Sequence, residues 1–356
     1  MNTRAQRLVA QMPRGFEAAL IDRPVSRQYL LNFDADEAGT LLLLPDGMVY
    51  LIDSRYIEAA SESISQAQVL LEKDAAEQLA ELFTSKKIGR VFLENQIAVS
   101  RWQSLKNKMP SVEFVVDSTL SDELAALRMC KDDEELASMR KAQQITDACF
   151  SHILPFIKEG VTETELMLEM EYFVRTHGAQ KMAFDTICVA GKKTSMPHGK
   201  PDDNRVQAGD FITMDFGAKV NGYCADMTRT VAFGEPDKEK RELYAVVLRA
   251  HQEAMAAVKA GKMACDVDAV ARQIIDEAGY QGCFGHGLGH AVGLEIHESP
   301  RFSPKCRDRI KAGMVMTVEP GIYLAGRFGC RIEDTVLVTP TGCESLATSP
   351  KELLIL

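Results

Sequence analysis

An internal repeat in the second part of the chain limits the possible folds more than any other feature of the sequence. The segment Ile157–Gly160 is echoed 101 residues further on by Val258–Gly261. Four more pairs keep offsets of 101 to 107 residues: Gly178 with Gly279, Asp215 with Glu319, Gly217 with Gly321, and Asp226 with Glu333. Offsets that grow by only a few residues indicate small loop insertions in a duplicated unit. The sequence therefore predicts two copies of one unit, each with two helices followed by strands.

The first part of the chain has the pattern of a small α/β domain. Two strand-like runs, Thr40–Leu44 and Met48–Ile52, flank a tight Pro-Asp-Gly turn. A helical apolar spacing over Ala75–Phe83 is followed by short apolar runs at Val91–Leu93 and Val112–Val116, which predict strands. These first 129 residues also hold no cysteine and the only tryptophan, Trp102, so we expect a separate domain.

The boundary between the two parts is expected near residue 125. The charged run Lys131–Glu135 lies just beyond it and precedes a long stretch with helical spacing. The predicted organisation is an α/β N-terminal domain over residues 1–125 and an α+β domain with an internal pseudo-two-fold repeat over residues 126–356.

Two aspartates lie on either side of a predicted hairpin in the first copy of the repeat. Asn221-Gly222 between strand-like runs is the strongest short-range signal for a two-residue hairpin turn. With these two residues in the loop, Asp215 lies opposite Thr228, and the two-residue side-chain period puts Asp226 on the same face. The two carboxylates are then diagonal neighbours, about 7 Å apart at the backbone.

The repeat predicts a second acidic pair, Glu319 and Glu333, in apolar and β-branched surroundings. Taken singly, such acids are turn-flanking or solvated strand residues, and a lone histidine is more often a core or surface residue than a ligand. Together, four converging carboxylates need more than one positive charge. Two divalent ions about 3.5 to 4 Å apart satisfy that need, and oxygen ligands favour hard ions such as manganese or cobalt.

Three histidines, His286, His290 and His297, follow in a glycine-rich segment and are candidate imidazole ligands. Four glycines between positions 285 and 293 argue against a helix and for an extended segment. A helical zinc motif is therefore excluded as an interpretation of this spacing.

With these residues the chain resembles the prolidase and aminopeptidase P branch of the pita-bread metallopeptidases over nearly its whole length. The resemblance implies a creatinase-type N-terminal domain and a pita-bread catalytic domain. It places the five metal ligands of that family on Asp215, Asp226, His290, Glu319 and Glu333. By the same resemblance Asp226 and Glu333 bridge two ions. Asp215 completes one ion, and His290 with Glu319 completes the other. The ions implied are Mn²⁺ or Co²⁺, with Zn²⁺ or Fe²⁺ as alternatives.

The activity implied by the resemblance is hydrolysis of the Xaa-Pro bond in dipeptides or short peptides. Glu319 would shuttle the proton, and two further histidines, His198 and His297, would lie beside the scissile bond. The short interval from Glu319 to Glu333 resembles the dipeptidase or small bacterial Xaa-Pro peptidase form more than long-chain aminopeptidase P. Three alternatives remain on the same fold: a creatinase-like hydrolase, a methionine aminopeptidase and a non-catalytic binding protein.

Composition limits the expected partners and location. A formal net charge of −10 would repel a phosphate backbone, so no nucleic-acid partner is expected. No apolar stretch approaches the 18 or so residues of a membrane span, and no secretory signal is visible, which predicts a cytoplasmic protein without a membrane partner. The nine cysteines include no Cys-x-x-Cys pair, which argues against a disulfide framework and against a zinc-thiolate cluster. The resemblance also implies a homodimer.

Overall fold

The computed structural model describes residues 3–356, which form two compact units that divide between Arg128 and Met129. Residue 125, where the sequence predicts a domain boundary, lies in the helix that ends at this division. No helix in the described part of the chain is long and apolar enough to cross a membrane.

The first unit is a mixed six-stranded sheet with helices, in the strand order β4-β3-β2-β1-β5-β6. Its strands are β1 (Ala18–Ile21), β2 (Thr40–Leu44), β3 (Gly47–Ile52), β4 (Gln68–Leu71), β5 (Arg90–Leu93) and β6 (Glu113–Val115). Its helices are α1 (Thr3–Gln11), α2 (Pro24–Leu31), α3 (Ile57–Ser63), α4 (Ala75–Lys86), α5 (Val99–Lys108) and α6 (Thr119–Met129). The predicted hairpin is confirmed, because β2 and β3 are antiparallel and Leu44 pairs with Gly47.

The second unit has the predicted duplicated order, since each half begins with two helices and continues with strands. The helices are α7 (Asp133–Ile153) and α8 (Glu163–Thr176) in the first half, and α9 (Lys238–Ala257) and α10 (Ala264–Ile275) in the second. The strands of the first half are β7 (Lys181–Met182), β8 (Ile187–Ala190), β9 (Asp210–Phe216), β10 (Ala218–Val220), β11 (Tyr223–Cys224) and β12 (Met227–Phe233). Those of the second half are β13 (Gly289–Ala291), β14 (Glu298–Phe302), β15 (Val315–Val318), β16 (Gly321–Leu324), β17 (Phe328–Arg331), β18 (Asp334–Val338) and β19 (Cys343–Ser345).

Local sequence signals explain where the first pair of helices begins. Asp132 and Glu135 form a reciprocal capping box at the start of α7, and Thr162 and Glu165 form another at the start of α8. Each box satisfies backbone N–H groups that have no partner within the helix. Gly178, two residues after α8, has a φ of 99°, which a residue with a side chain rarely adopts.

The strands of each half pack one face against their helices and leave the other face for polar side chains. In β9 the side chains of Ile212, Met214 and Phe216 belong to the apolar core that includes α7 and α8 residues. Thr213 and Asp215 alternate with them and are therefore on the opposite face. This alternation places acidic residues on the face of the sheet that does not contact its helices.

Candidate metal centre

The hairpin of the first half has the predicted register. Asn221 and Gly222 have φ angles of 50° and 82°, as a type I′ turn requires, and Asp215 in β9 pairs with Thr228 in β12. Asp226 lies immediately before β12, and its carbonyl oxygen accepts a 2.8 Å hydrogen bond from the hydroxyl of Thr335. That bond already connects the first half to a strand of the second.

The second half contributes residues in or directly beside three strands. His290 lies in β13, Glu319 directly follows β15, and Glu333 directly precedes β18. The backbone N–H of Glu333 donates to the carbonyl oxygen of Thr228 at 3.1 Å, and the Thr228 hydroxyl donates to Glu333 Oε2 at 2.6 Å. The two halves therefore meet at the acidic residues that the repeat relates.

Four of the predicted ligands are neighbours in one cluster. One potential ligand atom from each of Asp226, His290 and Glu333 lies within 4.8 Å of the others, and all three residues are buried. His290 Nε2 is 3.6 Å from Asp226 Oδ2 and 3.4 Å from Glu319 Oε1. The carboxylates of Asp226 and Glu319 thus face the same ring nitrogen of His290.

The two carboxylate oxygens of Asp215, the fifth predicted ligand, differ in their surroundings. Its Oδ2 atom accepts a 2.5 Å hydrogen bond from Arg331, whereas its Oδ1 atom is buried without a hydrogen-bond partner among residues 3–356. A buried carboxylate oxygen without a partner is costly, and a cation would satisfy it.

The electrostatics of the cluster also fit a cation. Burial, followed by the charges of neighbouring carboxylates, raises the pKa of Asp226 and of Glu333 well above the ordinary values. Burial raises the pKa of Glu319 to about 8. Ionised carboxylates this close together repel one another, which favours their protonated forms. Bound divalent ions would favour the ionised forms instead and so lower these pKa values.

His290 is oriented as a neutral ligand. Burial lowers its pKa to about 3, so the ring carries no charge near neutral pH. Its Nδ1 atom lies 3.1 Å from the carbonyl oxygen of Ala291, which can only accept a hydrogen bond. The proton is therefore on Nδ1, and the lone pair of Nε2 faces the carboxylates.

The other histidines lie around this cluster. His198 and His297 are exposed on the wall of a cavity of about 700 Å³ that Asp215, Asp226, His290, Glu319 and Glu333 also line. The ring of His297 is 4.5 Å from that of His290, and its pKa is lowered by partial desolvation and then by Arg301 and His198. His286 donates to or accepts from the Tyr323 hydroxyl at 2.9 Å, with its Nδ1 3.9 Å from Glu319.

Arg331 is a functional candidate that the sequence reasoning missed. Besides Asp215, its guanidinium donates to the Thr228 hydroxyl at 3.0 Å and to the Tyr323 hydroxyl at 2.9 Å. Its position two residues before Glu333 could have indicated this role, because that spacing puts both side chains on one face of an extended segment. A basic residue on an acidic face is a candidate for orienting those acids.

Carboxylates and one neutral imidazole, gathered where the halves of a duplicated α+β unit meet, are characteristic of a metallohydrolase. Residues 137–340 match the model of metallopeptidase family M24, and residues 4–130 match the Creatinase/Prolidase N-terminal domain. The chain belongs to metallopeptidase family M24, and its second unit has the pita-bread fold of that family. The resemblance identified from the sequence is thereby confirmed.

Relatives cover the chain from end to end. It is 36% identical to the Xaa-Pro dipeptidase of Pyrococcus furiosus over 355 residues, which are 99% of this chain and 100% of that protein. The structure is similar to the Xaa-Pro dipeptidase from Bacillus anthracis, with a TM-score of 0.94, 37% identity and 99% coverage of both chains. It is also similar to the X-Pro aminopeptidase from Thermotoga maritima, with a TM-score of 0.92, 35% identity and coverage of 99% of this chain and 100% of that chain.

Proposed function

We propose that this protein is a dinuclear metallopeptidase that hydrolyses the Xaa-Pro bond of dipeptides or short peptides. The observation that carries the proposal is the buried cluster of carboxylates around the neutral His290 at one wall of a 700 Å³ cavity. The relatives named above support the substrate class. Because they include a dipeptidase and an aminopeptidase, short peptides of both kinds belong to the proposal.

We assign five residues as ligands of two divalent ions: Asp215, Asp226, His290, Glu319 and Glu333. When bound, the ions would supply positive charge that lowers the pKa of a water molecule to about 7 and polarises the substrate carbonyl. Hard oxygen donors favour Mn²⁺ or Co²⁺ over metals that prefer thiolates.

Glu319 and two histidines have the remaining roles. Glu319 would take a proton from the attacking water and deliver it to the proline nitrogen, which as a tertiary amide has no N–H of its own. His198 would lie near that nitrogen, and His297 would stabilise the oxyanion that forms from the carbonyl. All three side chains line the same cavity, which supports these assignments.

The first test is activity with controlled metal content. The purified protein, stripped with chelator and reloaded with Mn²⁺, Co²⁺ or Zn²⁺, is expected to hydrolyse Ala-Pro and Leu-Pro but not Ala-Ala, with two ions per chain in elemental analysis. Equal turnover in excess chelator would point to a metal-free hydrolase of the creatinase type. Absence of both bound metal and turnover of any proline peptide would favour a non-catalytic binding protein.

We also propose that the protein acts in the cytoplasm as a homodimer. A monomeric mass in light scattering at micromolar concentration would contradict the dimer. Ala-Pro-Gly and a longer Xaa-Pro peptide, assayed beside Ala-Pro, measure how strongly length is restricted.

A further inference from the structure

The segment that carries His198 is a long connection between β8 and β9, over residues 191–209. It begins with a 3₁₀ turn at Gly191–Ser195 and then has no helix or strand before β9. His198 is exposed on this loop, at the cavity. The position of its ring therefore depends on what holds the loop.

A single buried carboxylate ties the two ends of this loop together. Glu163, the first residue of α8, has no exposed surface. Its Oε1 atom accepts hydrogen bonds from the backbone N–H of Ala190 at 2.8 Å and from the side-chain amide of Asn204 at 2.7 Å. Its Oε2 atom accepts from the backbone N–H of Asp202 at 3.2 Å and from the ammonium of Lys193. All four donors are in the loop or directly before it.

Lys193 extends this attachment to the backbone beside His198. Its ammonium, which is largely buried, also donates to the carbonyl oxygen of Lys200 at 2.8 Å and lies 2.9 Å from Asp202 Oδ2. Lys200 is the second residue after His198. On the other side, the carbonyl oxygen of Pro197 accepts a 3.2 Å hydrogen bond from Arg331. His198 thus lies between two anchored carbonyl groups.

A buried ion pair is weak support for stability, because well-packed apolar side chains at the same positions are often as stable. Charged side chains at these positions form hydrogen bonds that apolar side chains cannot form. These bonds fix the orientation of several backbone and side-chain groups of the loop at once. We propose that Glu163 and Lys193 are positioning residues that hold His198 at the substrate cavity. This inference rests on the proposed function, in which His198 contacts the substrate.

The test combines kinetics with a measurement of loop order. Lys193→Met is expected to lower kcat/KM for Ala-Pro by about 10- to 100-fold, because a small displacement of a reacting group has effects of that size. In a His198→Ala background the same substitution is expected to change kcat/KM less than about twofold, since its effect is transmitted through His198. Lys193→Arg keeps the charge and is expected to recover part of the activity.

Glu163→Gln provides a second variant, because the amide keeps the size of the side chain but removes the charge that pairs with Lys193. Glu169→Gln on the same helix is the matched control, since its carboxylate faces His152 instead of the loop. The control is expected to retain wild-type kinetics. Hydrogen exchange should be faster at residues 191–205 in Glu163→Gln and Lys193→Met, with unchanged exchange elsewhere and unchanged metal content.

The outcomes separate this inference from the proposed function. If the wild-type protein hydrolyses Ala-Pro and the effects of Lys193→Met and His198→Ala multiply, or if exchange rises throughout the second unit, the positioning role is wrong and the function stands. If metal-loaded wild-type protein hydrolyses no Xaa-Pro peptide, the proposed function fails and the role of His198 fails with it.

Discussion

Asp226 is the carboxylate on which the candidate centre depends most at the scale of single residues. It is buried, it faces His290 Nε2, and the charges of Glu333, Asp215 and Glu319 all act on it. A neutral amide of the same shape would relieve the repulsion but bind cations poorly. The chain therefore keeps an acid at a position where an amide would be easier to bury.

Asp226→Asn is expected to lower metal stoichiometry and to reduce kcat/KM for Ala-Pro by more than about 100-fold, since even the partners of metal ligands contribute 10- to 100-fold. Elemental analysis and hydrolysis rates measure the two effects. Asp185→Asn is the matched control, because Asp185 is an exposed carboxylate on the same cavity wall. Full metal occupancy and activity in Asp226→Asn would contradict the ligand assignment.

Two cationic side chains on the cavity wall, Lys200 and Arg301, are candidates for binding the carboxylate of a dipeptide. A lost charge-assisted hydrogen bond corresponds to about 1.5 to 3 kcal/mol, so Arg301→Met or Lys200→Met is expected to raise KM for Ala-Pro by about tenfold or more. Ala-Pro amide, which has no carboxylate, should be affected much less. An unchanged ratio between the two substrates in both variants would exclude this recognition.

Most of the residues that line the candidate centre could be predicted from the sequence because they obey short-range rules. The register that pairs Asp215 with Thr228 follows from the two-residue turn alone, and the structure confirms it. Arg331 could not be assigned a role in that way, because its contact with Asp215 joins residues 116 positions apart. No local period describes a contact between two different sheets.

At the scale of elements, close approach of strands explains why glycines flank the centre. An added Cβ at Gly289, one residue before His290, would lie 2.0 Å from the carbonyl oxygen of Thr317 in β15. At Gly217, at the end of β9, it would lie 1.8 Å from the carbonyl oxygen of Ala225. Both distances are far inside van der Waals contact, so any side chain would push apart strands that carry candidate ligands.

Gly289→Ala is expected to destabilise the protein by about 1 to 3 kcal/mol, as overpacking does, and to weaken metal binding because it displaces His290 from Glu319. Thermal unfolding and metal titration measure these effects. Gly285→Ala is the control, because the added methyl group would meet nothing within 4 Å in the same segment. Equal stability and metal affinity in the two variants would contradict the packing argument.

The elements that the sequence predicted and those that it missed differ in length and context. Helices with a capping box and apolar spacing, such as α8, were predictable, as was the hairpin around Asn221-Gly222. The two-residue strand β7 and the loop over residues 191–209 were not, because so few residues show no period. Such segments are held by distant partners, as Glu163 holds the ends of the loop.

At the scale of the second unit, a buried arginine adds to the hydrogen bonds that join the two halves. Arg229 donates to the carbonyl oxygen of Glu333 at 2.6 Å and to Asp334 Oδ1 at 2.8 Å. It also donates to the carbonyl oxygens of Ser349 and Pro350, near the C-terminal end of the chain. The relative position of the candidate ligands is therefore fixed by hydrogen bonds across the repeat, and not by either half alone.

The gathering of carboxylates from both halves predicts how the stability of the metal-free molecule depends on pH. The pKa of Glu319 is raised from an ordinary 4.5 to about 8. Between these two pH values the folded state holds a proton that the unfolded state has lost, so the free energy of unfolding falls as pH rises. The lowered pKa values of His251, His286 and His290 act in the opposite direction, and this effect fades as pH rises past their ordinary pKa of 6.5. Between about pH 7 and 8 the carboxylates dominate the slope. We therefore expect the melting temperature of metal-free protein to fall over this range, and saturating Mn²⁺ to remove the fall because it binds the ionised carboxylates. Asp226→Asn, with one fewer acid in the cluster, should show a shallower fall of the melting temperature without metal. A melting temperature that stays level or rises in the metal-free wild-type protein would show that these carboxylates are not held in their protonated forms.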